Sequence, residues 1–419
     1  MTTDTVIVGA GQAGLALSRL LTARRRDHVV LERGDVGERW RSQRWDSLRL
    51  LTPNWLNSID DATTHDDRDG YLGAAEFGAY LERYARETRA PVRGNVEVVA
   101  VERGRAGLRV RTDSRTWHAH NVVLATGFAD VPHRPRTAAA APRHVQQVDA
   151  AHYRSPAKLQ PGGVLVVGAG PSGQQIAAEL RRAGRDVMLA AGTHARAPRR
   201  YRGQDIWHWL DAIGDLHRTV DELPDGAGAP RMPSVALTGA NGGENLDLGV
   251  LHSLGVVVAG HLTGFDGRHA LFADDLQTTV AHADLRLQSL LGRIDAHIEA
   301  HHAEAPSAEP VRDVRVPDGP AVLDLDEQGI STIVWATGYG RDYGWLQARV
   351  LDDDGEIEHR RGVTPVPGVY ALGLKFQHRK SSHQIGGVAR DARFVAAQIA
   401  GDAALPARRP AFVPRAAAA

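Results

Sequence analysis

Short runs of adjacent apolar residues, several of them closed by glycine, recur along this chain and set its plan. Residues 6–8 (Val-Ile-Val) read as a strand buried on both faces, and Gly9 ends it. From residue 12 to 21 the apolar positions fall at helical spacing, and residues 28–31 give a second short strand. The same rhythm returns at 164–180 (VLVVGAGPSGQQIAAEL), where a strand, a glycine turn and a helix follow one another again. Two further strands, 121–127 and 331–338, each close in Ala-Thr-Gly, and 368–373 reads as a last strand before a terminal helix at 391–399.

Between these runs, residues 74–89 place Phe77, Tyr80, Leu81 and Tyr84 along one helix face. Residues 92–112 alternate apolar and polar positions and predict two antiparallel strands. Residues 48–51 predict an extended piece that Thr52-Pro53-Asn54 breaks, and residues 255–262 predict a strand. Residues 274–301 predict a long helix, and the Gly- and Pro-rich residues 220–249 a long loop over a site.

The glycines inside the two repeats carry the chemistry. Gly9, Gly11 and Gly14 stand at G-x-G-x-x-G spacing, and Gly168, Gly170 and Gly173 repeat it. The first glycine allows the sharp turn out of the strand. The second lets backbone approach a diphosphate, and the third lets helix and strand pack closely. The diphosphate then lies on the free N–H groups at the helix start. Glu32, at the end of the second strand, is placed to accept hydrogen bonds from an adenosine ribose. Two such units imply two dinucleotide sites, most simply one flavin and one nicotinamide. In the second unit no acid ends the corresponding strand, and His194, Arg196, Arg199 and Arg200 follow. That predicts room for a 2′-phosphate, with Arg199 and Arg200 as its partners. NADPH is then preferred over NADH, though use of both is compatible with the pattern.

Composition narrows the rest. Among 419 residues Lys+Arg and Asp+Glu both total 50, so no global charge favours nucleic acid or an anionic membrane. There is no cysteine, which removes disulfides, thiolate metal sites and dithiol redox chemistry. His297 and His301 have i,i+4 spacing, but no general-base glutamate follows the first, and no metal site is expected. No leader or apolar span is visible, so a cytoplasmic protein without membrane contact is expected.

The chain resembles the flavin-containing monooxygenases, including their bacterial CzcO-like and plant YUCCA-like relatives. The resemblance rests on the two fingerprints, Gly-Glu-Arg-Trp ending at Trp40, Thr52-Pro53-Asn54, both Ala-Thr-Gly strands and Gly373-Leu374. The family signature F-x-G-x-x-x-H-x-x-x-Y is matched at Tyr153, while Val145 and Asp149 stand at its glycine and histidine. The resemblance implies an α/β fold with two Rossmann-like domains, the NAD(P)H domain (158–314) inserted into an FAD domain (1–157 and 315–419, ending in a disordered tail). It implies FAD and NAD(P)H as cofactors, and a small-molecule substrate and O₂ as partners. A homodimer is left open.

Reduced flavin would take up O₂ as a C4a-hydroperoxide and oxygenate a nitrogen or sulfur nucleophile. A Baeyer–Villiger or oxidative-decarboxylating enzyme on a carbonyl compound, and a non-oxygenating NAD(P)H oxidase, stay as alternatives. The residues expected at the cofactors are Gly9, Gly11, Gly14, Glu32, Arg33, Trp40, Thr126 and Gly127 in the first unit. Gly168, Gly170, Ser172, Gly173, Arg199, Arg200, Thr337, Gly338 and Gly373 complete that set. Asn54, Asp149 and Tyr153 are expected at the reacting centre.

Overall fold

The computed structural model describes residues 1–60, 65–104, 107–223, 228 and 232–402. The C-terminal tail expected to be disordered lies outside the described residues, as do parts of the 220–249 loop. The fold is α/β and is built on two sheets.

The first sheet has seven strands. Thr2–Val8 lies between His28–Leu31 and Thr116–Leu124, parallel to both. Val6, Ile7, Val122 and Val123 are fully buried, which is why these strands read as unbroken apolar runs rather than alternating ones. Gly107–Thr112 and Val98–Gly104 extend the sheet as an antiparallel meander. Past residue 121 the strand Thr116–Leu124 instead runs beside Val369–Ala371, in parallel. A strand from late in the chain thus joins the sheet that the N-terminus began. Helices Gln12–Ala23, Ala74–Glu87 and Val388–Ala400 cover one face. Phe77, Tyr80, Leu81 and Tyr84 are buried under the second of them, as its spacing predicts.

The second sheet is parallel throughout, in the order Val257–Ala259, Val187–Ala190, Gly163–Val167, Ile330–Trp335, Gln146–Asp149. Helices Pro171–Arg182 and Leu248–Ser253 cover one face. A three-stranded antiparallel sheet, Leu262–Asp266, His269–Phe272 and Val322–Asp324, covers the other. The long helix is Leu276–Ala300, with Leu276, Val280, Leu287, Leu291, Ile294 and Ile298 buried along one side.

This pairing corrects the expected boundaries. Gln146–Asp149 precedes residue 158 and Ile330–Trp335 follows residue 314, yet both belong to the second sheet. The second lobe therefore spans 146–335. The second Ala-Thr-Gly strand serves its own fingerprint, not the first. The two passages between the lobes run side by side as a ribbon, Val131–Pro132 antiparallel to Tyr339–Gly340. Residues 48–51 form no strand; they run extended beside residues 72–74, with one β-bridge from Arg49 to Gly73.

Candidate functional site

Each sheet ends in the turn its sequence specifies. Gly9 has φ +110°, a left-handed conformation that L side chains avoid, and a Cβ there would lie 2.6 Å from the Ala125 carbonyl oxygen. A Cβ on Gly14 would lie 1.9 Å from the Gly9 oxygen, so only glycine lets the helix start this close to the turn. Gly11 differs: nothing lies within 4 Å of a Cβ built on it. The second turn repeats all three relations. Gly168 has φ +110° with its Cβ 2.5 Å from the Ala336 oxygen, Gly173 backs onto Gly168 at 1.8 Å, and Gly170 faces open space. Gly11 and Gly170 are also the N-caps of 12-residue helices. Neither helix has a side-chain cap or an acid in its first turn, so the N–H groups and the positive helix end are left for an anion. The residues present therefore fit a dinucleotide diphosphate at each turn.

The alanine of each Ala-Thr-Gly triplet is the floor under its own first glycine. Gly127 (φ +78°) and Gly338 (φ +90°) then bend the chain away. The Thr337 hydroxyl donates to the His133 carbonyl and is spent on the ribbon. Ser172 lies in the first turn of Pro171–Arg182. Gly373 (φ +85°) passes tightly over Ala13, where its own Cβ would be 2.9 Å from that methyl group.

Glu32 stands at the lip of the first turn. Its carboxylate accepts the Ala10 N–H at 2.7 Å and the Gly34 N–H at 3.2 Å. Val8 lies opposite Leu31, and Val167 opposite Ala190. The position matching Glu32 is therefore Ala191, fully buried and without a polar group. Arg33 pairs with Asp130 at 3.3 Å. Trp40 packs edge-on against Phe77, ring centres 4.8 Å apart, and touches the cores of both lobes.

Arg199 and Arg200, expected as partners of a 2′-phosphate, part company in the fold: the first is buried and the second is exposed. Arg199 is 1% exposed. It donates to Asp205 at 2.8 Å and to the Leu51 carbonyl at 2.7 Å, and its guanidinium stacks 4.3 Å from the Tyr71 ring centre. It ties the two lobes together through these contacts. Arg200 turns toward the carbonyls of Gly242 and Gly243.

The three residues expected at the reacting centre are held by the protein itself. Asn54 is buried. Its amide donates to the Asp67 carbonyl at 2.9 Å and accepts the Leu72 N–H at 3.0 Å, pinning the 67–72 loop, and one N–H remains. Asp149 accepts both arms of Arg134, at 2.5 and 2.9 Å, with His152 at 3.3 Å. Burial opposes its charge, but Arg134 and His152 outweigh that and hold the carboxyl below its usual range. The pair clasps the ribbon to the edge of the second sheet. Tyr153 is fully buried; desolvation, then the nearby Glu179 carboxylate, pushes its phenol far above its usual range. Glu179 is itself pushed up by burial.

Three residues escaped the sequence reading. Arg39 donates to the carbonyls of Thr126 at 3.0 Å and Ala129 at 2.9 Å, shaping the exit of the first Ala-Thr-Gly strand. Arg154 donates to the carbonyls of Arg41, Ser42 and Arg44. His383 sits edge-on to Phe128, ring centres 5.0 Å apart, with Nδ1 buried and unpartnered. Desolvation pushes its imidazole down to about 4, with Lys375 and Lys380 adding to the effect. Arg39 sits in the Gly-Glu-Arg-Trp stretch that ends at Trp40, but its contacts, like those of Arg154, cross more than 80 residues of chain, and His383 stands out by burial alone. Among the described residues no cluster of three or more His, Cys, Asp or Glu could hold a metal, and no helix is long and apolar enough to cross a membrane.

The comparisons with known proteins agree with this geometry. Residues 6–212 match the family model described as pyridine nucleotide-disulphide oxidoreductase. An uncharacterized CzcO-like oxidoreductase of Geobacillus kaustophilus is 30% identical over 399 residues, covering 94% of this chain and 97% of that protein. The indole-3-pyruvate monooxygenase YUCCA1 of Oryza sativa subsp. japonica is 27% identical over 391 residues, covering 88% of this chain and 86% of that protein. Among solved structures, a flavin-containing monooxygenase from Stenotrophomonas maltophilia shares the fold, with TM-score 0.66, 20% identity and coverage of 96% and 98%.

Proposed function

This chain belongs to the class B flavin-containing monooxygenase family, among its CzcO-like members, and from that premise we propose that it oxygenates a nitrogen or sulfur nucleophile of a small molecule, using FAD and NAD(P)H. The observation that carries the reading is the pair of open glycine cradles, Gly11 and Gly170, each at an uncapped helix start. The first lobe takes FAD. Its helix start holds the diphosphate, and Glu32 keeps acceptor capacity for the adenosine ribose. The second lobe takes the nicotinamide nucleotide, and Ala191 puts no carboxylate where an acid would repel a 2′-phosphate. FAD supplies hydride acceptance and the delivery of oxygen from O₂; the protein supplies orientation and shelter from water. Asn54 keeps one amide N–H that it would offer to a bound cofactor. Asp149 and Tyr153 act at a distance, by fixing the ribbon and the segment beside it.

The relatives named indole-3-pyruvate monooxygenase favour a second reading, oxygenation of a carbonyl compound such as a 2-oxo acid. The absence of cysteine leaves no dithiol for disulfide reduction by this chain. Measuring NADPH and O₂ consumption against H₂O₂ release, with amines, sulfides, ketones and 2-oxo acids, separates the readings. Coupled turnover with amines or sulfides alone supports the first. Coupling with 2-oxo acids alone moves the assignment to the second, and full release as H₂O₂ with every compound defeats both.

A further inference from the structure

Four arginines lie in residues 34–51: Arg39, Arg41, Arg44 and Arg49. Three have a carboxylate partner. Arg39 pairs with Asp130, Arg41 with Glu82, and Arg49 with Glu76 at 2.8 Å. Arg44 has none among the described residues. Its one hydrogen bond goes to the adjacent Gln43 carbonyl, at 2.6 Å, and its guanidinium lies 5.1 Å from the Trp40 ring centre.

Arg44 is only partly exposed. Desolvation pulls its guanidinium below its usual range, the Tyr339 phenol being the opposing titratable neighbour. Arg39, on its other side, feels its charge. Trp40, beneath the Arg44 guanidinium, packs against the cores of both lobes, so Arg44 stands at the seam between them. The backbone that presents it is fixed from the opposite lobe. Arg154 grips the carbonyls of Arg41, Ser42 and Arg44, and the Asp46 N–H donates back to the Arg154 carbonyl at 2.9 Å. Sheltering an unpaired cation costs free energy that a bound anion returns. A rigidly held guanidinium over an aromatic ring is suited to a planar pair of oxygens.

We propose that Arg44 is the anion-recognition residue of the cleft between the lobes, where it receives a carboxylate or phosphate group of a small-molecule ligand. The assignment rests on the two-cofactor reading above and names the chemistry that reading leaves open. The oxyanion comes either from the nicotinamide nucleotide or from an acidic substrate, and one experiment tells them apart. Wild-type, Arg44→Gln and Arg44→Lys proteins, each loaded with flavin, are titrated with NADP⁺, inorganic diphosphate, phenylpyruvate and phenylpyruvate methyl ester. Dissociation constants are read from the flavin spectrum and from ligand-induced melting shifts.

Arg44→Gln is expected to weaken an oxyanion probe about tenfold or more, and Arg44→Lys to recover part of the loss. Loss on NADP⁺ and diphosphate assigns a phosphate. Loss on phenylpyruvate with an unchanged methyl ester assigns a carboxylate, hence an acidic substrate. Unchanged constants for all probes overturn the proposal. So does an Arg44→Gln protein that, without ligand, melts as low as Arg154→Ala, because Arg44 would then be a structural tie. Only flavin-loaded protein is scored, so a wild-type protein that takes no flavin counts against the two-cofactor reading and not against Arg44.

Discussion

The two glycine turns are near copies that part at one side chain. In both, the first glycine has φ +110° over an alanine carbonyl, the third backs onto the first, and the middle one faces open space. After the second strand, one unit has Glu32 and the other Ala191. Glu32 fastens its own turn through the Ala10 N–H and keeps acceptor capacity for a ribose; Ala191 does neither. The shared backbone handles the diphosphate, and one residue decides how the rest of the nucleotide is treated. On the proposed reading, the first cradle would hold its ligand the more firmly of the two.

The severest way to break this comparison is at the third glycines. Gly14→Ala and Gly173→Ala each drive a methyl group to within 1.9 and 1.8 Å of a carbonyl oxygen. Each is expected to cost about 3 kcal/mol or more, read as a lowered Tm or loss of soluble protein. Unequal damage at the two sites would end the claim that the turns are equivalent.

The middle glycines sharpen the contrast, because a side chain there meets no protein atom. Gly11→Val is expected to fold and to purify colourless. Gly170→Val is expected to purify yellow and to resist reduction by NADPH. The same phenotype from both, in far-UV circular dichroism and flavin absorbance, would erase the division of labour.

The lobes are also expected to differ in their response to acid, since in the second lobe burial lowers only His194 among the histidines with a resolved shift. Burial, helped at His378 and His383 by neighbouring cations, pushes His359, His378 and His383 down to about 4. All three lie on the late stretch that completes the first lobe. Each charges more easily in the unfolded chain, so their stabilising contribution is full above about pH 6.5 and drains away as pH falls toward 4. Release of flavin, seen as a rise in its fluorescence, is expected to precede loss of circular dichroism on acidification. His359→Asn should flatten the slope; an unchanged slope would remove that histidine from the account.

The smallest effect concerns the distinguishing residue itself. Glu32→Ala leaves the Ala10 N–H without its acceptor, a cost of about 1–2 kcal/mol to the turn. Flavin should dissociate about tenfold more readily by equilibrium dialysis. Unaltered retention would mean that the backbone alone decides tenure.

What could be read beforehand follows from range. The turns were legible because glycine is demanded by clashes within a few residues or by φ. The strands were legible because burial on both faces leaves an apolar run. Ownership of the second Ala-Thr-Gly strand was not, since it depends on Ile330–Trp335 pairing with Gly163–Val167, far back in the chain. The part of Arg199 was not legible either. Sequence displays a charge after the strand, whereas the fold surrounds it with Asp205, Tyr71 and the Leu51 carbonyl. Asn54 and Asp149 were noticed for chemistry, and the fold also gives them structural contacts, to the 67–72 loop and to Arg134, that no local pattern displays.

The ribbon of Val131–Pro132 and Tyr339–Gly340 has one more consequence. The chain leaves for the second lobe and returns from it through a single neck. That lobe is thus a cassette, added or exchanged by one splice at one place. The host sheet would still be completed, because Val369–Ala371 lies after the return. Such a layout would let the second lobe be replaced without rebuilding the glycine turn of the first.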